Sequence, residues 1–175
     1  MNLATQACEK ALKEWGGDYD DITHTIAVSC TNQSNPGYDL LVNNKLGLRT
    51  NVDRMLLAGV GCAGGLSIMR AAAQIACGAT MRRRPARILA YACELCTPLV
   101  RSHLEEAVNC EDQTNVNLAG VLFSDAAAAF VLCNDYGIID RDKALFQLIE
   151  WDNATIPDTM EHMGFHADPN GMFHF

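Results

Sequence analysis

Apolar residues fall in blocks with recognisable periods along this 175-residue chain. Leu3, Ala7, Ala11, Leu12 and Trp15 recur at helical spacing, and Gly16-Gly17 stops the pattern. Thr23 to Cys30 is continuously apolar after His24, which reads as a strand, and Gly37 to Leu46 reads as a helix. Arg54 to Val60 (RMLLAGV) reads as a second, buried strand and Ala63 to Cys77 as an alanine-rich helix. Arg87 to Cys93 (RILAYAC) then predicts a strand and Pro98 to Val108 a helix. Further on the blocks shorten, and Ala119 to Phe123, Ala127 to Cys133 and Ala144 to Asp152 read as strands, with a turn at 134–137. The alternation of helix and strand predicts an α/β fold with a mostly parallel sheet between helices. No internal repeat or low-complexity segment interrupts it.

Composition narrows the picture. At this length one core is expected. A hydrophobic fraction of 49% beside 19% charged residues is rich for a short chain, so some surface is expected to be covered by a missing half or a partner. With 13 Lys and Arg against 21 Asp and Glu, the net charge is -8, which argues against a nucleic-acid partner. No apolar run approaches the roughly 18 residues of a membrane span. The first fifteen residues interleave acids and bases on a helical pattern, unlike a signal peptide. Eight cysteines without a secretion signal point to reduced thiols. A cytoplasmic protein with neither membrane nor nucleic-acid partner is expected.

The richest candidate chemistry is Gly59-Val60-Gly61-Cys62-Ala63-Gly64-Gly65, where an apolar strand runs through glycines into a helix. It reads as a nucleophile elbow. Cys62 falls near a helix N-terminus, where unpaired N–H groups and the helix dipole favour negative charge on sulfur and can steady an oxyanion on an attached acyl group. A buried cysteine at a tight turn fits an isolated G-C-x-G-G equally well. Cys93 and Cys96 form a C-x-x-C and His162 and His166 an H-x3-H, but the pairs are far apart and lack the short spacing of a Cys2His2 site. No metal is expected, and buried thiols are the plainer reading of the cysteines. Arg82-Arg83-Arg84-Pro85-Ala86-Arg87 offers phosphate contacts, although a solvated loop explains it as well. Asp125 reads as a structural acceptor for backbone donors.

Taken in order, Ile22 to Thr31 (ITHTIAVSCT), Asn35-Pro36-Gly37, Leu46 to Arg49 (LGLR), the GVGCAGG turn, Cys93-Glu94 and Val121 to Ala128 (VLFSDAAA) resemble the type III polyketide synthases, the chalcone-synthase-like enzymes. The resemblance covers nearly the whole chain. It implies a thiolase-like fold, with residues 1–175 forming a single domain of the chalcone/stilbene synthase N-terminal type. That domain would be the first half of a duplicated fold, truncated at both ends. By the same resemblance Cys62 is the acyl-carrying nucleophile, Phe123 gates the acyl cavity, and Thr97 and Leu99 lie along it. Phe173 or His174 falls near a second cavity-lining aromatic, and Phe173 is taken here. The implied substrates are acyl-CoA and malonyl-CoA, with no further cofactor. A homodimer is implied too, with Asn35 at its boundary.

Two kinds of departure stand out. Ser124 and Ala126 replace glycines of the family's L-F-G-D-G-A-A-A run, which limits the backbone there. The family's catalytic histidine and asparagine belong to later motifs that this sequence does not contain, and none of its five histidines stands beside Pro-Gly-Gly. Decarboxylative Claisen condensation is the implied reaction, and whether this chain is itself an enzyme stays open. The alternatives are a truncated, non-catalytic dimer partner and a ketoacyl-synthase III-like enzyme. The Gly-Cys-Ala-Gly-Gly turn, Asn-Pro-Gly and LFSDAAAA disfavour the last.

Overall fold

The structure, a computed structural model, describes residues 2–32, 34–112, 114, 118–162, 164, 166–167 and 173–174, with backbone alone at 118, 166–167 and 173–174. The chain divides into two compact units, Met1–Glu94 with Ala126–Trp151, and Leu95–Asp125 with Asp152–Phe175. In the first, α1 (Asn2–Trp15), β1 (His24–Ser29), α2 (Tyr38–Lys45), β2 (Asp53–Ala58), α3 (Gly64–Met81), β3 (Arg87–Glu94) and β4 (Ala126–Cys133) follow one another. The sheet order is β2-β1-β3-β4. The first three strands are parallel, with His24 beside both Asp53 and Ile88, and β4 runs antiparallel to β3.

Side-chain alternation along the strands divides the core between two faces. On one face Ile68, Ala72 and Ala76 of α3 pack on Ile26, Val28, Ile88 and Ala90. Small alanines on α3 let the helix lie close to the sheet, which is why its sequence reads as alanine-rich. α1 packs on β3 and β4, burying Ala4, Cys8, Ala11 and Leu12, and α2 contributes Tyr38, whose ring meets Tyr91 edge-on at 5.9 Å. Helices therefore cover the sheet on both faces, as the alternating pattern predicts. Among the described residues no helix is long and apolar enough to cross a membrane.

Burial lifts the Cys8 thiol from its ordinary 9.0 up to about 12, with Cys93 and Glu9 nearby pushing the same way. The folded chain thus keeps a proton that the unfolded chain releases above pH 9, so this contribution to stability is intact below pH 9 and fades as the pH rises towards 12. The fade is about 1.4 kcal/mol per pH unit at its steepest. Tyr38 and Tyr91, also raised by burial, act in the same direction at higher pH. Urea midpoints are expected to fall from pH 9 upwards, and Cys8→Ala to flatten the first part of that fall. An equal slope in the variant would assign it elsewhere.

Three sequence expectations need correction. β2 is not buried: Asp53, Arg54, Met55 and Ala58 are exposed, because the strand lies at the sheet edge with a neighbour on one side. Ala119 to Phe123 is not a strand, since α5 (Leu118–Leu122) occupies it. In the second unit α5 packs against α4 (Arg101–Val108) and buries Ala119, and an apolar run of five residues carries no period that separates helix from strand. Ala144 to Asp152 forms no ladder among the described residues, and its Leu145, Phe146 and Ile149 are 71%, 92% and 75% exposed. The helix expected from Pro98 starts at Arg101, after a turn in which Leu99 and Val100 donate to the Cys96 carbonyl. The remaining two-residue strands, β5 (His166–Ala167) and β6 (Phe173–His174), pair antiparallel.

Candidate active site around Cys62

β2 delivers the chain to the site. After Ala58 the backbone turns through Gly59 at φ 71° and Gly61 at φ 64°, conformations that disfavour any residue with a Cβ. A single 3-10 turn, Gly61–Ala63, then leads directly into α3. Cys62 sits on that turn and is exposed, so the buried-cysteine reading falls. No side chain caps the start of α3, because Ala63 holds the N-cap position. The Gly64 amide donates to the Gly61 carbonyl, so what this uncapped start offers is the positive end of an 18-residue helix.

Gly64 fixes how closely that helix end approaches the sheet. A Cβ there would lie 2.9 Å from Val28 Cγ2 and 3.3 Å from Cγ1, and Val28 is 1% exposed, with no room to yield. Gly64→Ala is expected to destabilise the chain by about 1–3 kcal/mol through overpacking. Val28→Ala in the same chain should restore part of that loss. Urea denaturation of both variants checks it; an unchanged midpoint for Gly64→Ala would show that the helix end shifts freely.

The register puts Ala58 beside Ser29, and β3 ends at Glu94, so the Cys62 turn lies at the carboxyl edge of three parallel strands, where open α/β sheets hold ligands. Glu94 organises this edge. Its carboxylate accepts from the amides of Cys30 (2.9 Å) and Thr31 (3.0 Å) and from the hydroxyls of Ser29 (3.2 Å) and Thr31 (2.6 Å). One acidic side chain thus closes the loop that follows β1. Cys93-Glu94 belongs to the family resemblance, but no local pattern gives the glutamate this role. The available signal was a single acid ending an otherwise apolar strand.

The other expected cavity residues lie in the second unit. The Thr97 amide donates to Asp125 Oδ1 at 2.8 Å. This bond and the Thr97 hydroxyl hold the Asp125 carboxyl below its usual range, so Asp125 is the backbone acceptor that the sequence suggested. The bond also brings Thr97 next to the segment carrying Phe123. Thr97 is exposed, while Leu99 and Phe123 are half-buried. Ser124 and Ala126 keep negative φ, so the backbone here does without the family's glycines. Phe173 lies on β6 opposite Ala167, and its side chain is outside the described residues. So is that of His166, the second member of the H-x3-H. Among the described residues no group of three His, Cys, Asp or Glu could hold a metal ion.

Residues 1–136 match the family model of the chalcone and stilbene synthases, N-terminal domain. The chain belongs to this family. It is 64% identical over 172 residues to the type III polyketide synthase pspB of Penicillium soppii, covering 98% of this chain and 43% of that protein. It is 47% identical over 135 residues to the acylalkylpyrone synthase csyB of Aspergillus oryzae, covering 77% of this chain and 33% of that one. The crystal structure of a fungal type III polyketide synthase, ORAS, superposes with a TM-score of 0.82 at 39% identity, over 97% of this chain and 44% of that chain. The chain therefore spans less than half the length of these type III polyketide synthases, and its fold is the N-terminal half of theirs. Membership of this family sets aside the ketoacyl-synthase III-like reading.

Proposed function

We propose that this chain supplies the acyl-accepting half of a type III polyketide synthase. The Cys62 sulfur attacks the thioester carbonyl of an acyl-CoA, the carbonyl oxygen passes through an oxyanion steadied by the positive end of α3, and coenzyme A leaves as its thiolate. One thioester is exchanged for another, so the step needs no further reactant. Malonyl-CoA would then lose carbon dioxide, and the resulting carbanion would attack the Cys62 thioester, forming a carbon–carbon bond and freeing the sulfur. That second stage needs donors for the enolate oxygen. The histidine and asparagine that the family resemblance calls for have no match in this sequence, so the condensation is assigned to an assembly that provides them.

The single observation behind this reading is an exposed Cys62 on an uncapped helix start at the carboxyl edge of the sheet. Pairing with a second copy belongs to the same proposal, and the exposed edge strand β2 with Met55, together with Leu40 and Leu41 of α2, supports it. The second reading is a dimer partner without condensing activity. Intact-mass spectrometry after incubation with a panel of acyl-CoAs and malonyl-CoA separates the two. A thioester adduct is expected on Cys62; a folded chain that gains no mass would leave the dimer-partner reading.

A further inference from the structure

The far end of α3 carries a feature that the Cys62 chemistry does not use. Residues 55–93 contain five arginines and no aspartate or glutamate, in a chain whose net charge is -8. Three of the five, Arg82, Arg83 and Arg84, are consecutive and exposed just after α3, and none forms an ion pair among the described residues. Beside them Met81 is 88% exposed. Eighteen residues of helix put this loop about 27 Å from the Cys62 turn, at the opposite end of the same element.

Complementing the α3 dipole explains one cation at this end. Three arginines and their backbone setting exceed that need. The loop is a Schellman closure: the Arg83 amide donates to the Thr80 carbonyl (2.9 Å) and the Arg84 amide to Ala79 (3.0 Å). Arg83 occupies the left-handed position at φ 53°, where glycine is the usual residue, so the chain keeps a charge at a site whose backbone disfavours it. Buried Asn134 holds the loop in place, accepting from the Ala86 amide (2.9 Å) and donating to the Arg84 carbonyl (2.9 Å) and Thr80 Oγ1 (3.0 Å). The result is a hydrogen-bonded loop that exposes three arginines and one apolar side chain.

The geometry points to a peripheral contact with an anionic membrane surface. Guanidinium groups suit lipid phosphates and carboxylates, and Met81 is placed to enter the headgroup layer beside them. A protein partner needs a broad complementary area, whereas three guanidinium groups and one apolar side chain on a loop suit a lipid surface. The expectation of no membrane partner rested on the lack of a spanning segment, and a peripheral contact needs none.

The test is cosedimentation of the purified chain with vesicles of phosphatidylcholine and phosphatidylserine in equal parts, and with phosphatidylcholine alone. Binding to the mixed vesicles only is expected at low ionic strength, with release near 1 M salt, where the screening length falls to about 3 Å. Arg82→Glu with Arg84→Glu should weaken binding by more than about tenfold. Arg83→Gly separates binding from folding: it should raise the thermal midpoint by relieving the left-handed backbone while weakening vesicle binding several-fold. The proposal is overturned if the folded chain stays in the supernatant at low salt, sediments equally with both vesicles, or keeps wild-type binding in the arginine variants. Binding to polyaspartate without binding to vesicles would overturn it in favour of an acidic protein, and a thermal shift with inorganic phosphate alone in favour of a free phosphate.

Discussion

Incubation with a reactive acyl-CoA is expected to add one acyl mass to the chain, and Cys62→Ala to abolish the addition completely. The chain has eight cysteines, so exposure has to be separated from activation. Only Cys62 and Cys77 are exposed; the others are buried or half-buried. Cys77 lies within α3, where intrahelical bonds occupy the neighbouring backbone amides. Cys62 sits before the first turn of the same helix, where no side chain caps the helix and its dipole is positive. The two cysteines thus compare one thiol at the positive end of the helix with one in its interior. Cys77→Ala is expected to leave the adduct unchanged. If Cys77 acquires acyl groups as readily as Cys62, the transfer is ordinary thiol exchange and the proposed function loses its support.

Much of this arrangement is legible in the sequence. The helical spacing of Leu3, Ala7, Ala11 and Leu12 gives α1, and the β-strand character of RILAYAC gives β3, because each has a strong period or is bounded by sharp turns. The elbow was legible because two glycines with left-handed backbones flank the turn between strand and helix. Properties set by neighbours distant in sequence were not. The burial of β2 depends on its rank in the sheet, which no local pattern carries. The role of Glu94 depends on Ser29 to Thr31, more than sixty residues earlier. Asp39 and Arg54, fifteen residues apart, show no spacing that marks them as a pair, yet they meet at the edge of the fold.

Truncating Arg54 to alanine is expected to cost about 3 kcal/mol, near the lower end of the range for breaking a buried ion pair. The asymmetry of burial drives this. The Asp39 side chain is 1% exposed, and its Oδ2 accepts from Arg54 Nη1 at 2.6 Å, while Oδ1 has no hydrogen-bond partner. Removing the guanidinium leaves a carboxylate that water hardly reaches. Arg54 itself is 46% exposed, so its own desolvation is small and the loss falls on Asp39. A double-mutant cycle with Asp39→Ala in urea should then show strong coupling, because the second truncation removes the stranded charge. The pair also pins α2 to β2, the strand that carries the Cys62 turn. Other bonds hold α2 to the inner strands: Tyr38 donates to the Val28 carbonyl at 2.8 Å, and Asn43 donates to Thr25 Oγ1 at 2.8 Å. The outer strand should therefore loosen before the helix does, so Arg54→Ala should slow acylation of Cys62 while the chain is still folded. A loss below about 1 kcal/mol, as for a surface pair, would mean that β2 is held by its ladder to β1 alone.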